Sequence, residues 1–106
     1  MINTTQQLEG LQTQPAKNIT GNAGTNADVL PDRRKTGDRV VKRFIQNVSG
    51  GVVQFCVGED CKDANNFHGQ LAVTETREIF SLERVNVYGA GAWTVAVMEQ
   101  MRNWQG

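Results

Sequence analysis

The sequence predicts an all-β protein: a small antiparallel sandwich or jelly-roll-like barrel carried behind an extended N-terminal arm. Three observations lead there. From Val40 onward, short runs rich in β-branched and aromatic residues alternate with polar positions. Gly-rich turn signals separate these runs at intervals of roughly 8–12 residues, the spacing of a sandwich or barrel. Before Arg39 the large apolar residues are scattered without any period. At 106 residues the chain is long enough for one domain. It divides into residues 1–38, an extended or disordered arm with a basic linker, and residues 39–106, a β-sandwich module with a short C-terminal tail.

In the arm, Ile2, Leu8, Leu11, Ile19, Val29 and Leu30 stand alone in a strip of Asn, Thr, Gln and Gly. Residues 5–11 suit one helical turn. Residues 18–28 are dense in turn formers and bury too little surface to offset their ordering entropy. Isolated Ile and Leu side chains in a polar strip suit pegs that enter pockets on a neighbouring subunit, so we expect an arm that threads a partner rather than a plain tail. Residues 31–43 are basic: Arg33, Arg34, Lys35, Arg39, Lys42 and Arg43 against Asp32 and Asp38, six minus two, a local charge of +4.

In the module, VVKRFIQN (40–47) reads as a strand, SGG (49–51) as a turn, and VVQFCV (52–57) as its partner in a hairpin, with Val53, Phe55 and Val57 on one face. A polar loop follows over 58–69, then a short strand QLAV (70–73). Residues 74–82 read as a turn and a strand holding Ile79, Phe80 and Leu82. RVNVY (84–88) alternates with Val85 and Val87 inward, GAG (89–91) turns, and AWTVAVME (92–99) ends the module with Trp93, Val95 and Val97 inward. The expected core is Val53, Phe55, Val57, Leu71, Val85, Val87, Trp93, Val95 and Val97. The tail around Met98, Met101 and Trp104 suits one helical turn or a loose end. Some 60 residues of β-module make a marginally stable unit on their own, which favours assembly.

Few chemistries find support. Eleven basic and eleven acidic side chains give zero net charge, so overall charge points to neither nucleic acid nor an anionic membrane. No run approaches the roughly 20 apolar residues of a membrane-spanning helix, and residues 1–10 lack the basic and apolar regions of a secretory signal. Cys56, Cys61 and His68 offer three ligands where a structural zinc site takes four, so no metal is expected. The cysteines read as thiols; a disulfide across the loop base requires close Cα atoms and oxidising conditions. Glu59, Asp60 and Asp63 lack the spacing of a calcium loop and read as a solvated acidic loop, or as the counterpart of residues 33–43 on another copy. No catalytic residues and no cofactor site are expected. The basic strip lacks interleaved aromatics, so base stacking has no platform.

The module's residues also resemble a pattern. A strand ends in Asn47-x-Ser49. Val53-x-Phe55-x-Val57-Gly58 follows, then a polar loop, Gly69-x-Leu71, Val85-x-Val87-x-Gly89, and Val95-x-Val97-x-Glu99. Over residues 40–99 this is similar to small bacteriophage virion proteins. One departure stands out: Leu71-Ala72-Val73-Thr74-Glu75 occupies the place of that family's Pro-containing L-A-P-G-E segment. The resemblance implies a β-sandwich or jelly-roll module made in the host cytoplasm and resident in the virion. Its role there would be decoration, penton or vertex, or head–tail or fibre attachment. The implied partners are capsid or vertex subunits and further copies of the chain. Contacts are expected from Ile2, Leu8, Leu11, Ile19 and Leu30, from Arg33, Arg34, Lys35 and Arg39, and from Trp104. The alternative expectation is that residues 33–43 touch packaged nucleic acid.

Overall fold

A computed structural model describes residues 11–13, 16–34 and 40–102. Among them there is no helix, and the strands form two antiparallel sheets that enclose one hydrophobic core. The strands are β1 (Leu11–Thr13), β2 (Lys17–Gly21), β3 (Thr25–Leu30), β4 (Val40–Asn47), β5 (Val53–Val57), β6 (Gly69–Leu71), β7 (Thr76–Glu78), β8 (Val85–Gly89) and β9 (Trp93–Arg102). In the first sheet β7, β4 and β9 lie side by side. The far edge of β9 takes two partners end to end, β2 along Trp93–Val97 and β1 along Gln100–Arg102. The second sheet runs β3, β8, β5, β6. The fold is therefore the all-β sandwich expected from the alternation.

The folded unit begins well before the expected boundary at 38/39. β2 and β3 are integral strands, one in each sheet, although their sequence is polar. The reason is that β2 lies on an edge. Its side chains are mostly exposed, only Ile19 reaches the core, and its backbone is satisfied by the β9 ladder. Such a strand needs no hydrophobic period. In β3 the register shifts between Asp28 and Leu30, a bulge that turns the consecutive Val29 and Leu30 both into the core. Residues 1–10, with most of the expected helical turn, lie outside the described residues. At the other end β9 runs on to Arg102, so Met98–Met101 is strand and not a helical turn; residues 103–106 are outside the described residues.

The turn at 49–51 does not close a hairpin. β4 pairs with β9 and β7, whereas β5 pairs with β8 and β6, so the chain changes sheets there. It changes sheets again from β2 to β3, from β6 to β7, from β7 to β8 and from β8 to β9. Only β5 and β6 are joined within their own sheet among these later links. Alternation of side chains marks a strand, but it carries no information about which strand comes alongside.

The inner row of β4 and β9 explains how such a sandwich is closed. Ile45, Trp93, Val95 and Val97 are buried in its middle, and so are the polar Asn47, Arg43 and Glu99 at its ends. Arg43 and Asn47 are four residues apart on one face of β4, about 13 Å. Each plugs one pole of the core and gathers the loops that cross there. Asn47 donates from Nδ2 to the carbonyls of Gly51 (2.8 Å), Leu71 (3.1 Å) and Ala72 (3.2 Å), and its Oδ1 accepts the Ser49 N–H at 2.8 Å. Ser49 in turn exchanges hydrogen bonds with the Thr94 backbone through Oγ, at 2.7 and 2.9 Å. A buried amide left without these partners would cost ~1–3 kcal/mol, so the Asn-x-Ser pair is a corner lock.

Two edge glycines are covered by aromatic rings from the neighbouring strand. Gly21 lies opposite Trp93 and Gly69 opposite Phe55; a Cβ on either would fall inside the ring. The Trp93 indole N–H donates to the Thr25 carbonyl (3.1 Å), which ties the β2–β3 corner to the core. Arg77 lies over the Phe55 ring at 5.7 Å and donates to the Gln70 carbonyl (3.0 Å), closing the side between β6 and β7. Of the nine expected core residues, eight are buried and Val57 packs partly against them; Val29, Leu30, Ile45 and Ile79 join them.

Candidate functional site

At the pole opposite Asn47, Arg43 is completely buried. Its Nη1 donates to the carbonyls of Ser81 and Glu83, both at 2.9 Å, and its Nη2 to the carbonyl of Pro31 at 2.6 Å. Its Nε forms an ion pair with Glu99 Oε2 at 3.2 Å. Glu99 is also held by Arg33, at 2.8 Å to Oε1 and 3.2 Å to Oε2. Burial pulls the Arg43 guanidinium below the usual arginine range, and the Glu99 carboxylate opposes that pull.

These contacts immobilise the chain between β7 and β8. The Ile79 N–H donates to the Arg43 carbonyl (2.8 Å), Arg33 N–H to the Leu82 carbonyl (2.8 Å), and Glu83 N–H to Ser81 Oγ (3.0 Å). Ile79 is thereby turned into the core, at 6% exposure, and its neighbour Phe80 is turned out, at 87%. Leu82 beside it is also exposed. A loop free to collapse would fold a phenylalanine against available apolar surface, which is worth ~1.5–3 kcal/mol. Here the backbone on both sides is bonded to a buried arginine, and the ring is left in water. The Asn47 pole has a milder counterpart: Val48, Val52 and Val73, on the loops that Asn47 ties together, are each 44% exposed.

The residues expected to contact a partner are scattered by the fold. Leu30 is a core residue, and Ile19 packs half-buried against the core; neither is a free peg. Leu11 lies in β1 opposite Arg102. Arg33 is committed to Glu99, and Arg34 is bonded to Asp32 (2.7 Å) and Glu83 (3.3 Å). Ile2, Leu8, Lys35, Arg39 and Trp104 lie outside the described residues. Among residues 31–34 the basic strip is thus an internal strap, because each charge meets a carboxylate of the same chain.

The acidic loop is likewise spoken for. Asp60 and Asp28 both accept from Arg84 Nη1, at 2.7 and 2.8 Å. Asp63 Oδ1 accepts the N–H groups of Asn65 and Asn66 (2.7 and 2.9 Å) in a local turn, and the Asn65 N–H above all holds its carboxyl below the usual range. The loop folds back over the outer face of the second sheet, where Asn86 Oδ1 accepts both the Cys61 N–H (2.9 Å) and Asn26 Nδ2 (3.0 Å). His68 accepts the Val57 N–H on Nδ1 (2.8 Å), with Nε2 3.9 Å from Glu59. A groove of about 600 Å³ runs beside the loop, lined by both signs of charge from Glu59, Asp60, Lys62, Asp63 and Arg84. No group of three or more His, Cys, Asp or Glu side chains converges on a metal position among the described residues.

The composition of residues 74–82 predicts a strand through Phe80, whereas β7 ends at Glu78 and Phe80 lies in the loop beyond it. Ile79 and Phe80 are adjacent just past the end of β7, and neighbours in extended backbone face opposite sides unless a bulge intervenes, as it does at Val29 and Leu30. The plug role of Arg43 carries no such signal, since Lys42-Arg43 reads as an ordinary solvated pair. Compared with known proteins, the chain matches no protein-family model, no curated protein and no solved structure.

Proposed function

We propose that this chain is a non-enzymatic structural protein of a bacteriophage virion, assembling with capsid or vertex subunits and with its own copies. Its place would be as decoration, penton or connector. One observation carries the assembly reading: a phenylalanine held out into water on a loop that buried hydrogen bonds prevent from collapsing. The backbone that carries this aromatic is held on both sides before any partner arrives. It matches the buried aromatic anchors that dominate binding energy in protein interfaces. Leu82 extends the same apolar tip. The virion setting rests on the resemblance of residues 40–99 to small virion proteins.

The reading is tested with the full chain and Phe80→Ser, each supplied to particles assembled without it. The wild-type chain is expected to sediment with the particles and Phe80→Ser to bind at least ~10-fold more weakly, the loss typical of one anchor residue. Equal incorporation of the two would overturn the Phe80 contact. Failure of the wild-type chain to associate with any particle would overturn the virion assignment itself.

A further inference from the structure

The two cysteines are placed together by the fold. Cys56 points to the outer face of β5, where a strand residue would ordinarily meet solvent, yet it is 1% exposed because the 58–68 loop lies across it. Cys61, on that loop, is 0% exposed. Both thiols aim at one acceptor, the Asn66 carbonyl, Cys56 Sγ at 3.6 Å and Cys61 Sγ at 3.9 Å. The two sulfurs thus share a single carbonyl oxygen. The Cys61 backbone is fixed over the sheet by its N–H bond to Asn86 Oδ1, and Asn86 lies opposite Cys56 in the β5–β8 register. These bonds set Cys61 on the loop beside Cys56, at the carbonyl both thiols share.

We propose that Cys56 and Cys61 are a latent disulfide clip, which closes in the folded protein under a small-molecule disulfide oxidant and fastens the 58–68 loop to the second sheet. Apart from this pair, the loop is held by polar contacts, and the exposed Arg84–Asp60 ion pair adds little. A covalent bond across five residues of sequence removes the opened-loop states from the unfolded ensemble. Closure proceeds by two exchanges. One cysteine thiolate attacks glutathione disulfide and expels a glutathione thiolate. The second cysteine thiolate then attacks the mixed disulfide and expels another. The protein loses two hydrogens, and one glutathione disulfide becomes two glutathiones. Burial drives the Cys61 thiol well above the ordinary range, so little thiolate exists at neutral pH, and closure is slow and accelerates as pH rises. The pair therefore acts as a clip set once, not as a rapid sensor. This inference is independent of the virion reading.

The test uses the purified full chain, reduced and then incubated at pH 8 with a glutathione redox mixture, without denaturant. Intact-mass spectrometry, thiol titration and peptide mapping follow the product. The expected result is loss of both thiols and two hydrogens, a Cys56–Cys61 crosslink, and a thermal midpoint raised by roughly 5 °C or more; dithiothreitol should reverse all three. Stable glutathione adducts, crosslinked dimers, thiols that persist, or closure only after unfolding in urea would overturn the proposal. Because the comparison is between redox states of one chain, it does not depend on any variant folding.

Discussion

Arg43→Met should be among the most damaging single changes outside the apolar core. Methionine replaces the aliphatic stem of Arg43 and removes its guanidinium. The carbonyls of Pro31, Ser81 and Glu83 lose their donors, and Glu99, itself 8% exposed, keeps Arg33 as its ion-pair partner among the described residues. Each hydrogen bond from a charged donor is worth about 1.5–3 kcal/mol. Three would sum to more than the site can lose, because water reaches Glu99 and Arg33 once the plug is gone. Removing one partner of a buried ion pair costs about 3–5 kcal/mol in practice, and Arg43→Met should fall in that range. With a urea m-value of roughly 1.5 kcal/mol per molar, the unfolding midpoint should fall by about 2–3 M. Glu99→Gln keeps the shape and an acceptor, and should cost about 1–3 kcal/mol. The double variant should lose less than the sum of the singles by at least ~1 kcal/mol, since the two side chains act as one unit. Urea titration followed by tryptophan fluorescence measures all four proteins. A loss under ~1 kcal/mol for Arg43→Met, or additivity within ~0.5 kcal/mol, would refute the plug.

Three further outcomes follow from the same geometry. Gly21→Ala, whose Cβ would enter the Trp93 ring, should destabilise by about 1–3 kcal/mol, whereas Gly50→Ala, with open space around it, should change stability by less than ~0.5 kcal/mol; thermal unfolding compares them. Phe80→Ser should leave monomer stability within ~0.5 kcal/mol of wild type while weakening assembly, a combination that light scattering and denaturation together resolve. Asp63 and Glu75 have carboxyls held below their ordinary range, foremost by the N–H groups of Asn65 and Ala72 respectively. Their folded pKa values thus lie below the unfolded ones. The stability they contribute is present above the unfolded value of about 4 and is lost as pH falls through it toward the folded value. Thermal midpoints should be flat above about pH 5 and decline below about pH 4, and Asp63→Asn with Glu75→Gln should flatten that decline.

What could be read from the sequence was what alternation encodes. β5, β8 and β9 announced themselves through Val53, Phe55, Val85, Val87, Trp93, Val95 and Val97, and their inward faces are the core. The pairing of strands was not legible, because SGG at 49–51 serves a hairpin and a corner equally well. What decides is Asn47, whose amide bonds the Leu71 and Ala72 carbonyls of a distant turn. The early strands were hidden for a different reason. β2 borrows its order from β9 and so needs almost no apolar residue of its own, and the bulge in β3 breaks the period that would have revealed Val29 and Leu30. The candidate contact site was only half legible: adjacency of Ile79 and Phe80 favours opposite facing where no bulge intervenes, but the loop's rigidity comes from an arginine 36 or more residues earlier in the chain.

That arginine links the stability of the sandwich to the surface it presents. A hydrophobic plug at position 43 would seal the pole without the desolvation cost of a charge, and replacing buried ion pairs by apolar side chains is often neutral or stabilising. An apolar plug, however, makes no directional bonds. It would leave the Ser81 and Glu83 carbonyls to find other donors, and the backbone around Phe80 could then relax until the ring lay against the core. The guanidinium fork fixes those two carbonyls and that of Pro31 at once, which a point-charge lysine on a flexible stem does not reproduce. On the assembly reading, the loss of Phe80 presentation should therefore track the loss of the fork rather than the loss of charge. Arg43→Lys should weaken assembly nearly as much as Arg43→Met while destabilising the fold less. Hydrogen exchange at the Ile79 and Glu83 amides should quicken in both variants. If Arg43→Lys assembled like wild type with those amides still protected, charge alone would hold the loop, and the fork geometry would be incidental.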